Sequence, residues 1–450
     1  MIVHDNWLSR CTVALLLPAL AACQSLPGGS GAFSKGIVIA DETLAGEAAS
    51  LILRKGGNAA DAAVAAGFAL TVTFPAAAGL GGGGHCLYRS GPTGAVESIE
   101  FLPPAAKDAG PIAVPATAFG LEVLHARHGS KPWAELVAPA ERLARDGFAA
   151  SNAYVRRLAG NAAMSSVPES YAMLFGGILT EGRRVAQPIL AGTLSAIGRQ
   201  GASALAQGPM AEVFVAASSA NAGRVSGADL ALYRPVVGAP QVTLIGGLTV
   251  AVAPAGTRPG AFASRFWPAL GGEAVSGTSE ARASAALAES GAPETPIEDF
   301  GATGFITADG EGGVAICGLT MNGPFGARAM AEPLGFAFAL SPEIAEAAIG
   351  STLLQPVLAW DEDSVVFAGL GAGSVKGAGL IGDALIAFAE RKTDPVGALL
   401  RSRQIGPIDA ALVLSCPKGW PQKGCRYSAT PGGAGASYPV GQGVGAGYVY

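Results

Sequence analysis

Charge is scarce in this chain. Only 14% of its 450 residues are Asp, Glu, Lys or Arg, and together they leave a net charge of −5. Basic residues nowhere cluster beyond two in a row apart from the spaced segment RKTDPVGALLRSR, so the cation-rich face that nucleic acid demands is missing. Histidine is scarcer still, with four residues. His125 and His128 are three apart in a helical stretch, but no third ligand stands near them, and a solvated helix face is expected rather than a metal site. The glycine run GLGGGG lacks the following Lys-Ser/Thr of a phosphate loop. No metal or organic cofactor is implied. What the chain does have is core material: half of it is hydrophobic, and 65 Gly with 30 Pro favour many turns and close backbone approaches over long helices.

The first residues read as a cleaved export signal. The apolar run Thr12–Ala22 follows a lone Arg10 and has 11 residues, against about 20 for a membrane-spanning helix. Leu20-Ala21-Ala22-Cys23 resembles the bacterial lipobox, which implies cleavage after residue 22, a lipid on Cys23 and an outer-membrane anchor facing the periplasm. Residues 23–36 read as a flexible tether. Export places the rest in an oxidising compartment, where Cys86, Cys317, Cys416 and Cys425 remain. Cys416 and Cys425 flank the turn-rich PKGWPQKG and are expected to pair, whereas Cys86 and Cys317 are expected as buried, unpaired apolar residues.

Periodicity predicts an alternation of helices and strands. Ala45–Arg54 has helical spacing and stops at Gly56-Gly57; a second, Ala-rich helix starts at Asn58, where Asp61 complements the helix dipole, and runs to about Leu70. Two more helices are predicted between Pro115 and Phe148. Adjacent strand residues point to opposite faces, which separates His85 from Cys86 and argues for packing rather than a Cys–His couple. ADLALYRP, with Asp229 and Tyr233, reads as a structural corner. Thr257–Pro296 has weak periodicity and is expected as loops with short helices. Strands are predicted from Thr303 to Met321, and SVVFAGLGAGS is predicted to lead into a helix. The fold class is therefore layered α/β.

Three long blocks carry a resemblance: LRKGGNAADAAVAAGFALTVTFPAAAGLGGGG, VPATAFGLEVLHARHGSKPWAELVAPAERLARDGF, and the segment from QPILAGTLSAIGRQ to GADLALYRP. In this order they resemble the gamma-glutamyltransferases (glutathione hydrolases). The resemblance implies an N-terminal-nucleophile hydrolase fold, a four-layer αββα sandwich made as a precursor that cuts itself into two fragments, here 37–302 and 303–430, followed by a Gly-rich tail, 431–450. It also implies a threonine nucleophile acting on a small gamma-glutamyl peptide such as glutathione. Thr303, freed by cleavage after Ala302, is the expected nucleophile. Its new α-amino group, with a pKa near 7.7–8.0, can accept the hydroxyl proton. By resemblance Thr320 steadies that hydroxyl, Asn322 holds the amino-acid end of the substrate, Ser351 and Thr352 approximate the family's serine pair, and the backbone N–H groups of Ala372 and Gly373 stabilise the oxyanion. Ser341 and Glu343 are weaker substrate-binding candidates.

The departures are equally specific. Counted back from Asn322 without a gap, the nucleophile position falls on Ala302, and Thr303 is reached by a one-residue deletion in the turn DGEGG. Leu102 stands where the family has a carboxylate-binding arginine. The alternative reading is a catalytically silent relative with a binding or structural role in the envelope.

Overall fold

The two strands expected between Thr303 and Met321 form a hairpin at the heart of a seven-stranded sheet. The computed structural model describes residues 36–440 apart from 92–93, 160–170, 173, 175–179, 272–277, 291–300, 391–409, 423 and 430–435. The export signal, Cys23, the tether up to residue 35 and most of the tail lie outside the described residues.

In the first sheet the order is β17 (Ala436–Val440), β1 (Gly36–Ala40), β9 (Ala302–Asp309), β10 (Val314–Thr320), β2 (Gly83–Arg89), β3 (Val96–Phe101) and β6 (Val236–Gly238). The second sheet runs β16 (Arg426–Ser428), β15 (Ala410–Trp420), β14 (Ser364–Ala372), β13 (Gln355–Asp361), β8 (Leu248–Val252) and β7 (Gln241–Ile245). Two short ribbons, β4 (Phe148–Ala149) with β5 (Arg184–Val185) and β11 (Met330–Ala331) with β12 (Phe336–Ala337), stand apart from both sheets.

Side-chain alternation sorts the core into layers. On β9 and β10, Phe305, Ala315, Cys317 and Leu319 join the cluster that includes the helices α1 (Thr43–Arg54), α2 (Ala59–Thr73), α3 (Thr117–His128) and α4 (Trp133–Asp146). Ile306, Ala308, Val314 and Ile316 instead meet Leu358, Ala368, Leu370, Leu412 and Leu414 of the second sheet. The outer face of that sheet packs under the helices Arg258–Gly271 and Val375–Ala389 through Phe262, Phe266, Trp267 and Ile381. The result is a four-layer αββα sandwich.

The start of α2 behaves as its residues predict. Asn58 and Asp61 form a capping box, each side chain accepting the other's backbone N–H. Asp61 also accepts the backbone N–H groups of Ser130 and Lys131, tying the helix start to the α3–α4 turn. Every residue of α2 is buried, which its alanines permit by bringing the helix backbone close to the sheet.

Three expectations need correction. Cys86 and Cys317 are buried but not unpaired: they sit directly opposite each other on β2 and β10 and form a disulfide, in addition to the Cys416–Cys425 bond. They are far apart in sequence, and only the strand pairing reveals their proximity. Thr257–Pro296 holds two substantial helices, Arg258–Gly271 and Ser279–Glu289. Pro259 and Pro268 disguise the first, which is held by burial of Phe262, Phe266 and Trp267 at about 1.5–3 kcal/mol each. His128 is not on a solvated face either; it stacks on Tyr88 with 4.1 Å between ring centroids, and its Nε2 lies 2.8 Å from Glu97.

Candidate active site

The site is built where the strands of the two sheets end together. Gly301 precedes β9 with φ +61°, and a Cβ there would fall 2.0 Å from the Gly323 carbonyl oxygen, so this turn requires glycine. From that point β9 pairs with β10 in unbroken register, Thr320 opposite Ala302 and Leu319 opposite Thr303. Alternation then decides which of the two neighbouring candidates faces which layer.

Ala302 points between the sheets. It forms a buried apolar cluster with Leu354, Ala372 and Ala410, and Leu102 packs against this cluster. Thr320 shares this face, and its hydroxyl donates to the Gly301 carbonyl at 3.0 Å while accepting the Asn322 N–H at 2.9 Å. Asn322, at φ +60°, spreads its side-chain amide between the Pro103 and Leu340 carbonyls, and the Ser351 hydroxyl donates to its Oδ1. Gly373, at φ +95°, turns the chain out of β14 towards Ser374, which caps the following helix by accepting the Lys376 N–H. Thr352 is buried at the end of its helix, with its carbonyl accepting from Gln355. The residues Ala302, Thr320, Asn322, Ser351 and Ala372 are thus brought to one end of the inter-sheet space.

Thr303 is not brought to them. Its side chain projects from the opposite face of β9 into the helical layer, where it is fully buried and its hydroxyl donates to Asp41 Oδ2 at 2.9 Å. Thr307 and Asp309 continue this face, bonding the Ala59 carbonyl and N–H at the start of α2. The one-residue difference between Ala302 and Thr303 is therefore a difference of layers.

Four charged residues near the site escaped sequence reasoning. Arg157, on the helix α5 (Asn152–Ala159), is buried and donates from Nη2 to the Ala302 carbonyl at 3.3 Å. Asp41 receives Thr303, and its neighbour Glu42 caps α1 by accepting the Ala45 N–H. Burial raises the Glu42 carboxyl above its ordinary range, against the hydrogen bond from Thr73. Glu100 lies two residues before Leu102, and burial raises it too, with Thr257 and Arg258 pulling the other way. An acidic pair ahead of a helix was the available signal for Asp41 and Glu42; nothing local marks Arg157 or Glu100. Ser341 is buried behind Leu340, while Glu343 is exposed.

Chemically, the arrangement offers a threonine hydroxyl, an amide and a serine around a methyl group. Nothing on the inter-sheet face at residue 302 can attack a carbonyl.

Comparison with known proteins adds a family to this geometry. The model of the Gamma-glutamyltranspeptidase family matches residues 45–265. A glutathione hydrolase proenzyme from Pseudomonas aeruginosa is 32% identical over 239 residues, which cover 49% of this chain and 43% of the relative. Over these residues the chain is similar to the gamma-glutamyltranspeptidase family. Its similarity to that relative spans less than half of the relative's length. The family model's match ends before Ala302 and takes in three of the seven strands of the first sheet and two of the six strands of the second. Among solved structures, the gamma-glutamyltranspeptidase of Helicobacter pylori is 28% identical with a TM-score of 0.50, covering 58% of this chain and 83% of that one. The cephalosporin acylase of Bacillus halodurans, at 18% identity, covers 92% of this chain and 98% of its own with a TM-score of 0.65, and shows the fold alone. The fold is that of the N-terminal-nucleophile hydrolases.

Proposed function

We propose that this gamma-glutamyltranspeptidase relative is an uncleaved, catalytically silent member of its family, lipid-anchored at Cys23 on the periplasmic side of the bacterial envelope and acting there as a binding or structural protein. The observation that carries this reading is the facing of two adjacent residues. The position that adjoins Ala372, Thr320 and Asn322 is an alanine, while the neighbouring threonine is buried on the other side of the sheet against Asp41. Leu102 in place of the family's arginine supports the same conclusion, because an apolar side chain cannot bind a substrate carboxylate.

A second reading keeps Thr303 as nucleophile of a self-processing gamma-glutamyl hydrolase or transferase. The Thr320–Asn322–Ser351 network favours it, since these hydrogen bonds are retained. Bringing Thr303 to that network needs a one-residue slip of β9, and such a slip sends every side chain of the strand to the opposite face. Ile306 and Ala308 would leave the inter-sheet core, and Thr307 and Asp309 would enter it.

The test is the chain itself, purified from envelopes and run on a reducing gel. Wild type and Thr303→Val are both expected as one intact chain, with Thr303→Val less stable by about 1–3 kcal/mol because a buried acceptor loses its donor. A C-terminal piece beginning at Thr303 in the wild type, absent from Thr303→Val, would return the enzymatic reading.

A further inference from the structure

The Gly-rich tail, 431–450, has no part in the proposed function, yet five of its residues belong to the first sheet. Ala436–Val440, the strand β17, lies antiparallel against β1, from Gly36 opposite Val440 to Ala40 opposite Ala436. The strand it covers would make a poor sheet edge. All five residues of β1, GIVIA, are buried: Val38 and Ala40 join the helical layer, and Ile37 and Ile39 the inter-sheet core. None of them is charged and none is proline. An apolar, unguarded edge of this kind is a template for strand addition, and a backbone N–H or C=O on a buried strand must find a partner.

Hydrogen-bond parity shows which backbone groups of β1 this partner meets. The Asp41 N–H donates to the Gly304 carbonyl, which makes 41 and 304 a hydrogen-bonded pair of the antiparallel β1–β9 ladder. Counted back by twos, Ile39 and Ile37 also direct their N–H and C=O groups to β9. Those of Gly36, Val38 and Ala40 therefore face the other way, towards β17. On β17 the same parity turns the backbone groups of Ala436, Tyr438 and Val440 inward to β1, and those of Ser437 and Pro439 outward. Proline has no N–H to give a ladder, and it stands at one of the two positions where none is needed. The register of the pairing and the place of the proline thus agree. A further strand adding to the outside of β17 would meet one donor among these five residues, at Ser437, instead of two.

We propose that the outer edge of β1 is a strand-docking site whose resident partner is residues 436–440 of the same chain, and that Pro439 closes the sheet beyond them. The tail then satisfies β1 and ends the sheet, tasks that backbone groups alone perform and that a low-complexity sequence can meet. The assignment holds whether or not residue 303 is catalytic.

The experiment is hydrogen exchange on the purified full chain, read residue by residue by mass spectrometry, for the wild type, Tyr438→Pro and Ser437→Pro. Tyr438→Pro deletes an N–H that faces β1, so the Val38 and Ala40 amides should exchange at least about tenfold faster than in the wild type, while those of Ile37 and Ile39, held by β9, stay slow. Ser437→Pro deletes an outward N–H and should leave all four amides as they are. A third variant, Pro439→Ala, keeps the pairing and restores an outward donor, and its sedimentation should show more self-association than the wild type. Val38 and Ala40 amides that exchange as fast in the wild type as in Tyr438→Pro, or equal effects of the two added prolines, would overturn the docking site. A Pro439→Ala chain that sediments as the wild type does would overturn the closing role of Pro439.

Discussion

The two faces of the first sheet, separated by the thickness of one strand, are built on opposite principles. On the helical side β9 carries Thr303, Thr307 and Asp309, each buried and each hydrogen-bonded to a turn or helix end. On the inter-sheet side it carries Ala302, Gly304, Ile306 and Ala308, which present no side-chain polar atom. Polar groups placed on the helical side order the chain, because a buried donor or acceptor must find its partner. On β9 the inter-sheet side is closed by shape and apolar area. The hydroxyl of the pair 302–303 lies on the helical side, bonded to Asp41.

The comparison can be broken first through the helical side's covalent link. Replacing Cys86 and Cys317 together by alanine frees a loop of 231 residues, for which chain entropy predicts a loss of about 5 kcal/mol, roughly twice that expected for the 9-residue Cys416–Cys425 loop. Paired denaturation curves of the two double variants measure the ratio. A smaller loss from Cys86/Cys317 would mean that the helical side does not depend on its staple.

Next in size is Asp309, whose carboxylate accepts the N–H groups of Ala59, Glu311 and Gly313. Asp309→Ala strands these donors at the foot of the hairpin and should cost about 3 kcal/mol in urea unfolding. If the helical side's polar contacts are dispensable, the midpoint will barely move.

The smallest effect belongs to the inter-sheet side. His85 is fully buried there with its Nε2 2.8 Å from the Ser98 hydroxyl, and burial lowers its pKa to about 3. The folded value lies below the ordinary 6.5, so the unfolded chain takes up a proton that the folded chain refuses, and stability falls as pH drops from about 6.5 towards 3. His85→Gln should remove about 2 kcal/mol of that fall at pH 5. The sign is checked by the difference between the two pH–stability curves; an unchanged difference would show that His85 is protonated in the folded state.

Much of this architecture was legible in the residues. Asn58 and Asp61 announce the start of α2, Gly129 ends α3, and the alternation after Thr303 marks β9 and β10. Opposite facing of His85 and Cys86 followed from strand geometry alone. Three things did not follow. The partner of Cys86 depends on which strand lies beside β2, a fact of tertiary pairing. The helix at Arg258–Gly271 contains two prolines, and its aromatic burial outweighs them. The face occupied by Thr303 depends on strand register, which counting against a family pattern leaves open by one residue. That single residue separates a hydroxyl among the site residues from a hydroxyl among the helices.

The disulfide between Cys86 and Cys317 has a further consequence, because its two ends lie on opposite sides of the Ala302–Thr303 peptide bond. In this chain, hydrolysis at that bond would nick a closed ring and release nothing. A protease clipping the exposed loops between the two cysteines would likewise leave one particle under oxidising conditions, and only a reductant would separate its parts.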